Sequence, residues 1–318
     1  MKNIHIFLFL TVAIFGAGKI FATTWNEPWA DEVIKEADYF VLADILSCED
    51  KSVKIKIIKQ FGGETLPGEI EITNFYLLRM LSFSDGHEAG FPFKNRKKGY
   101  FFIKKNNNGE YCMATPTTGF DFINDGNVHA TYRHSYHQAL VPIDIYEMTM
   151  SAIFNHCHLL PFDRKKITDF IDGQISKPPA GFDENEINTF FLQHVSLELI
   201  FHLRLAGYCN KIVPFFNDKA NFHNRVSAAR ALVACNNDEA RSLLLNKIAT
   251  NENDDFTTVI CIWVLGEFNP KELKPRLQNL AKDASTKENG FGGNIMDPRV
   301  GTYFPSVHKA LMDLIKTL

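Results

Sequence analysis

The sequence predicts an α+β protein: a small N-terminal β-barrel with flanking helices, followed by a C-terminal array of α-helical repeats. Three observations carry this. From Tyr39 onward, short apolar segments with strand-like alternation follow one another with no long helix between them. A Pro/Gly-rich stretch, GQISKPPAGFD at 173–183, closes that half. Beyond it, two segments align at a constant offset of 33 residues, which marks a repeat.

The chain opens MKNIHIFLFLTVAIFGAGKIFATTW. Lys2 supplies a positive start, Ile6 to Ala17 is mostly apolar, and Lys19 follows. The apolar run is short for a spanning helix and reads as a secretory signal peptide cleaved near Ala22. An uncleaved membrane anchor is the alternative. The expected divisions are signal peptide 1–22, barrel domain 23–160, linker region 161–184 and repeat domain 185–318. The expected location is secreted or periplasmic, with no integral span after cleavage.

PWADEVIKEAD, residues 28–38, reads as a short helix with Pro28 in its first turn. Tyr39 to Ser47 is apolar and β-rich. In VKIKI, Val53, Ile55 and Ile57 alternate with Lys54 and Lys56, and EIEIT repeats the period through Ile70 and Ile72. FGGETLPGE between them is a turn. GYFFIKK and EYCMA flank NNNG, a hairpin signal in which Gly109 takes a positive φ.

HATYRHSYHQ, residues 129–138, places three histidines in nine positions. As one strand it sets His129 and His137 about 26 Å apart. As a helix it sets His129 about 140° from His134. Neither geometry gathers a metal site. The expectation is a strand packed against a helix from Pro142 to Phe154, with its histidines satisfied locally. A site assembled from separate elements, for example His134 with His158, is the alternative.

In the second half, Asp183 and Glu186 resemble a capping box before a long helix. On that helix Ile187, Phe190, Phe191, His194, Leu197 and Phe201 fall on one side, with His194 a packed core residue. RVSAARALVACNNDEARSLL and TVICIWVLGEFNPKELKPRL form the repeat, matching Val226 to Val259, Ala229 to Ile262, Leu232 to Leu265 and Leu244 to Leu277. LIFHLRLAGYCNKIVPFF and SVHKALMDLIKTL extend it to three or four units. GFGGNIMDPRVG, 290–301, reads as a long connection before the last helix, with Asp297 and Arg299 available to an anion. Aligning RLAGYCNK with RALVACNN pairs Cys209 with Cys235, so their Cα atoms should lie within about 12 Å. The other cysteines are Cys48, Cys112, Cys157 and Cys261, and no C-x-x-C occurs.

The repeat segments resemble HEAT-type repeats, in which small residues let neighbouring helices pack closely, although 33 residues is a short period for them. ADYFVLADILSCEDKSVKIKIIKQFGGETLPGEIEI with GYFFIKKNNNGEYCMATPTTGF resembles the netrin/TIMP-like barrels, a variant of the OB fold. In the TIMP-type inhibitors an N-terminal cysteine holds the protease zinc. Here the expected mature start is Thr23-Thr24-Trp25, so inhibition does not carry over. The whole chain resembles an exported bacterial protein.

Composition excludes several classes. With 45% hydrophobic and 22% charged residues, neither disorder nor a multi-span membrane protein is favoured. Loss of residues 1–22 removes Lys2, Lys19 and no acid, leaving 32 basic against 37 acidic residues and a net charge of −5. That is no nucleic-acid footprint. G-x-S-x-G, H-E-x-x-H, dinucleotide and EF-hand motifs are absent. No catalytic, cofactor-binding or metal-ligating residues are assigned, and no cofactor is implied. The expected function is an exported interaction or scaffold protein that binds a protein partner through its helical repeats. A regulator or inhibitor acting through the barrel, and a metal-dependent hydrolase using the histidines, are the alternatives.

Overall fold

The computed structural model describes residues 25–80, 91, 93, 97–252, 254–292 and 300–318, with backbone only at 79, 80, 289, 291 and 292. The predicted signal segment 1–22, Asp297 and Arg299 lie outside the described residues.

The described chain begins with a short strand, β1 (Trp25–Asn26), and helix α1 (Ala30–Glu36). The helix starts two residues after Pro28, because Trp29 is extended at the N-cap position with φ −72° and ψ 150°. Strands β2 (Tyr39–Cys48), β3 (Val53–Gly62), β4 (Glu69–Phe75), β5 (Arg79–Met80), β6 (Lys98–Lys105) and β7 (Tyr111–Met113) follow. Five of them close a barrel in the order β2–β3–β4–β7–β6 and back to β2, with β4 and β7 parallel and the other pairs antiparallel. This is an OB-like barrel, and closure leaves none of the five strands an open edge. Gly109 turns the β6–β7 hairpin at φ +83°, as the NNNG signal predicts.

The barrel strands alternate between two buried faces. Val41, Val53, Ile55, Ile72, Phe101 and Ile103 fill the interior. Phe40, Tyr100 and Phe102 point outward into a second core shared with the helices. Phe40 stacks on Phe102 with ring centroids 4.7 Å apart. Strands with both faces covered explain why β2 and β6 read as nearly continuous apolar runs.

Strands β8 (Phe120–Asn124), β9 (Asn127–His134) and β10 (His137–Pro142) extend the sheet outward from β6. Here the sequence expectation is corrected. Residues 129–137 do not form one strand: the chain reverses at Ser135–Tyr136, and His137 pairs directly opposite His134. A second two-residue turn, Asp125–Gly126 with φ +48° and +77°, joins β8 to β9.

Helices α2 (Ile143–Cys157) and α3 (Arg164–Ile175) lead to α4 (Ile187–Leu203), α5 (Cys209–Phe216), α6 (Phe222–Ala231), α7 (Asp238–Thr250), α8 (Asp255–Glu267) and α9 (Lys274–Lys282). Then come β11 (Asn289–Gly292), β12 (Val300–Phe304) and α10 (Val307–Thr317). Helices α4, α6, α8 and α10 pack in a row, and α3, α5, α7 and α9 each pack on the next member of that row. Asp163, Asn221, Asn237, Asp254 and Ser306 cap five of these helices by accepting backbone N–H bonds. Cys209 and Cys235 are disulfide-bonded with Cα atoms 5.6 Å apart, well inside the expected 12 Å.

Two further differences concern the helical half. Helix α4 was expected to bury one side, but from Gln193 to Leu203 every residue is buried. It lies between the β9–β10 hairpin and α6, so no side is left to water. The 290–301 segment, read as a loop, carries a β11–β12 hairpin whose second strand pairs in parallel with β1. Within the span 161–184, residues 164–175 are helix. The following Pro/Gly stretch is held by Gln193, whose amide donates to the Pro178 carbonyl at 2.8 Å and accepts from Ala180 N at 2.8 Å. One apolar core runs from Phe40 and Tyr132 on the strands to Leu311 on the last helix.

Candidate functional site

The seam between the β9–β10 hairpin and the helical row is polar, buried and cross-linked. It begins at Arg133 on β9, fully buried. Its Nη1 donates to the His223 carbonyl at 3.0 Å and to Ser227 Oγ at 2.8 Å. Ser227 on α6 donates in turn to Glu198 Oε1 on α4 at 2.7 Å. Glu198 Oε2 accepts from Arg230 Nε at 3.1 Å, and Arg230 Nη2 reaches Asp31 on α1 at 3.0 Å. The chain Arg133–Ser227–Glu198–Arg230–Asp31 thus links a strand, two array helices and the N-terminal helix. It balances two guanidiniums against two carboxylates. Burial pushes the Asp31 carboxyl up, but Arg230, His202 and hydrogen bonding together outweigh this and hold it below its usual range. Burial also opposes the charge on Arg230, and Glu198 and Asp31 outweigh that too.

Five histidines line the same seam. His137 stacks on His223 at 4.0 Å and meets His194 edge-on at 4.4 Å. His194 Nδ1 lies 3.0 Å from Ser227 Oγ. The Ser227 proton is already given to Glu198, so the network assigns the donating proton to His194 Nδ1. His202 Nε2 meets the Tyr132 carbonyl at 2.8 Å, and His134 Nε2 meets the Glu27 carbonyl at 3.1 Å. Burial lowers the pKa of all five, to about 3 for His134 and His223.

Of the histidines expected to be satisfied locally, His134 accepts from the nearby Tyr136 N at 3.3 Å but also reaches the distant Glu27 carbonyl, and His137 packs against His194 and His223 of the helices. His129 stacks on Phe122. His134 and His158 face different backbone carbonyls, of Glu27 and Ile34. Among the described residues no group of three or more His, Cys, Asp or Glu side chains is arranged to hold a metal ion. Ser227 with His194 and Glu198 has the composition of a hydrolytic triad but not its order. The serine hydroxyl is spent on the carboxylate, and all three residues are fully buried.

The outer end of the seam opens to solvent as a groove. Arg230 lies over the Phe201 ring at 3.8 Å and the Trp29 ring at 4.8 Å. Trp29 in turn meets Trp263, Phe304 and His134 edge-on, with centroids 5.9, 5.9 and 5.2 Å apart. Two hollows of about 300 and 230 Å³ share Trp29, Glu32 and Trp263. The larger is completed by Asp31, Phe201, Arg230 and Glu267, the smaller by Leu77, His134, Thr302 and Tyr303. The N-terminal segment, the strand hairpin, helix α8 and the β11–β12 hairpin all contribute. Trp263 is 38% exposed although its neighbours Cys261, Ile262, Val264 and Leu265 are buried.

A bigger hollow of about 750 Å³ lies at the ends of α5, α6 and α7. Four of its five charged lining residues already serve one another. Arg225 holds Asp254 at 3.1 Å and the Asp218 carbonyl at 2.7 Å, and Lys247 holds Glu252 at 3.1 Å. The groove, with aromatic faces turned to water, is the better candidate.

The sequence assigned no site residues. It passed over Trp29, Trp263, Arg133, Glu198 and Arg230, which are brought together only by tertiary contacts. The available signal was a set of polar residues, His194, Glu198, Ser227 and Arg230, on helices otherwise rich in apolar and small side chains. No protein-family model, curated protein or solved structure matches the chain.

Proposed function

We propose that the protein is an exported interaction or scaffold protein whose helical array docks a protein partner at the Trp29–Trp263 groove. The carrying observation is Trp263: a tryptophan partly exposed within a helical stretch, Phe256 to Leu265, that is otherwise buried, beside a second tryptophan and a stacked arginine. Trp and Arg dominate the energetics of protein interfaces because they bury large area and still satisfy polar contacts. The helix pairs α3–α4, α5–α6, α7–α8 and α9–α10 are read as HEAT-type repeats, whose stacking presents one continuous face. The Cys209–Cys235 disulfide supports export, since such bonds persist in oxidising compartments. Among the described residues no helix is long and apolar enough to cross a membrane.

The test is affinity capture from the native envelope or medium with the wild type and with Trp263→Ala, followed by identification of what is bound. Loss of a specific partner in the variant, at unchanged helical circular dichroism, supports the reading. Equal recovery with both proteins contradicts it. N-terminal sequencing of the native protein should begin near Thr23, and a retained Met1 would contradict export with cleavage.

A further inference from the structure

Among the described residues, no carboxylate is a resolved influence on His137, His194 or His223. The charged groups of the network are Arg133 on β9, Arg230 on α6, Glu198 on α4 and Asp31 on α1, with both of these carboxylates already bound to Arg230, while Glu27, Glu32 and Glu267 line the groove at its outer end. His137 on β10 faces His194 of α4, His223 of α6 and Arg133. His194 faces Ser227 and Tyr132, with Arg133, Arg230, His202 and His223 around it. His223 lies against Arg133, with Nδ1 3.2 Å from Nη2. His202 sees Asp31, Glu198 and Arg230, and His134 sees Arg133, Arg230 and Asp31. With the imidazoles neutral, the network's two guanidiniums and two carboxylates balance. An imidazolium at His137, His194 or His223 would be a further cation beside Arg133.

Hydrogen bonding points the same way. Among the described residues, Nε2 of His137 and Nε2 of His194 are buried with no hydrogen-bond partner. A proton on His194 Nε2 would create a donor with no acceptor among the described residues, in a fully buried site. Meanwhile the barrel interior is a separate apolar cluster that contains none of these groups.

We propose that the seam is a proton-sensitive latch: protonation of the His137–His194–His223 cluster parts the β9–β10 hairpin from the helical row, while the barrel and the helices keep their secondary structure. The Trp29–Trp263 groove, built across the same junction, comes apart with it. The latch is a property of the seam and does not rest on the docking reading.

The direction of the pH dependence follows from the lowered histidine pKa values. A histidine in the opened seam titrates near 6.5, whereas in the closed seam it titrates lower. The opened form therefore takes up protons between these values, and closure weakens as pH falls. The closed state is fully favoured above about pH 6.5. It loses ground progressively below that, and the share due to His134 and His223 levels off near pH 3, where they titrate in the closed form as well.

All three tryptophans of the chain, Trp25, Trp29 and Trp263, are in this junction or on the strand beside it, so their emission reports its opening. The experiment follows tryptophan emission and far-ultraviolet circular dichroism of the whole protein from pH 7.5 to 3. The expected result is a red shift of emission that begins below pH 6.5 and precedes any loss of helical signal. The double variant His137→Gln/His194→Gln should move the emission midpoint down by about half a pH unit or more, because two proton-uptake sites are gone. The wild-type curve stands alone if that variant fails to fold. Coincident emission and dichroism transitions, or no emission change above pH 3, would overturn the proposal. So would a folded double variant with the wild-type midpoint.

Discussion

The barrel interior and the seam are both buried, yet they are made of opposite materials. Inside the barrel, Val41, Ile55, Phe101 and Ile103 meet only apolar neighbours. In the seam, Arg133, His137, His194 and Glu198 are buried as deeply, and each depends on one particular partner or protonation state. Apolar burial is non-directional and nearly independent of pH. Buried charge holds only while its complement is present. The barrel therefore supplies stability, and the seam supplies a condition on how the halves are joined.

The sharpest way to break this contrast is to remove Glu198. Glu198→Ala deprives Arg230 and Ser227 of their shared acceptor and leaves two guanidiniums with a single carboxylate. Chemical denaturation at pH 7 should show a loss of about 3–5 kcal/mol, the range for breaking a buried pair. Retention of wild-type stability would mean that water or a shifted side chain replaces Glu198, and the seam would lose its special status.

Next in size is the disulfide, which ties the first residue of α5 to the end of the 3₁₀ turn following α6. Cys209→Ser/Cys235→Ser should cost about 2–4 kcal/mol, as expected for opening a loop of this length. Its effect should be constant with pH, unlike that of the seam.

Asp121 sharpens the comparison from the other side. It is fully buried, it accepts from Tyr146 Oη at 2.7 Å and from Thr131 N at 3.0 Å, and burial raises its pKa to about 7. The folded protein therefore holds a proton that the unfolded chain has released above its ordinary pKa. Stability from this group is present at low pH and is lost as pH rises toward 7, the reverse of the histidines. Asp121→Asn should remove that slope, at most about 1.4 kcal/mol per pH unit between pH 4 and 7. An unchanged slope would show that the carboxylate is ionised in the folded state.

The smallest effect belongs to the barrel interior. Ile55→Val should cost about 1 kcal/mol by removing one buried methylene, and by the same amount at pH 5 and pH 8. A pH-dependent cost would show that the two regions are not separable in this way.

What the sequence revealed follows the same division. Strand β2 was expected at 39–47 and runs 39–48, and the Val53/Ile55 alternation and the Gly109 turn are where the pattern puts them. These are local signals, set by side-chain period and backbone sterics. The β8–β9 turn also had a signal, Asp125-Gly126, which was passed over. The β9–β10 turn at Ser135–Tyr136 has no Gly or Asn to mark it. The seam could not be read at all. Arg133 meets Ser227 across 94 residues, His202 meets the Tyr132 carbonyl across 70, and β1 pairs with β12 from the far end of the chain. No periodicity encodes such contacts. The helical half was legible as a run of helices, whereas the burial of α4 from Gln193 to Leu203 depends on a barrel hairpin that the helix's own sequence does not announce.

The central claim is that one charge-balanced network couples the strand hairpin to the helical row. A double-mutant cycle between Arg133→Met and Glu198→Gln tests it most directly, with stability measured by denaturation at pH 7. The two side chains act through Ser227, so removing both should cost less than the sum of the single losses. The expected coupling is about 1–3 kcal/mol. Additivity within about 0.5 kcal/mol would mean that Arg133 and Glu198 act independently, and would contradict the account.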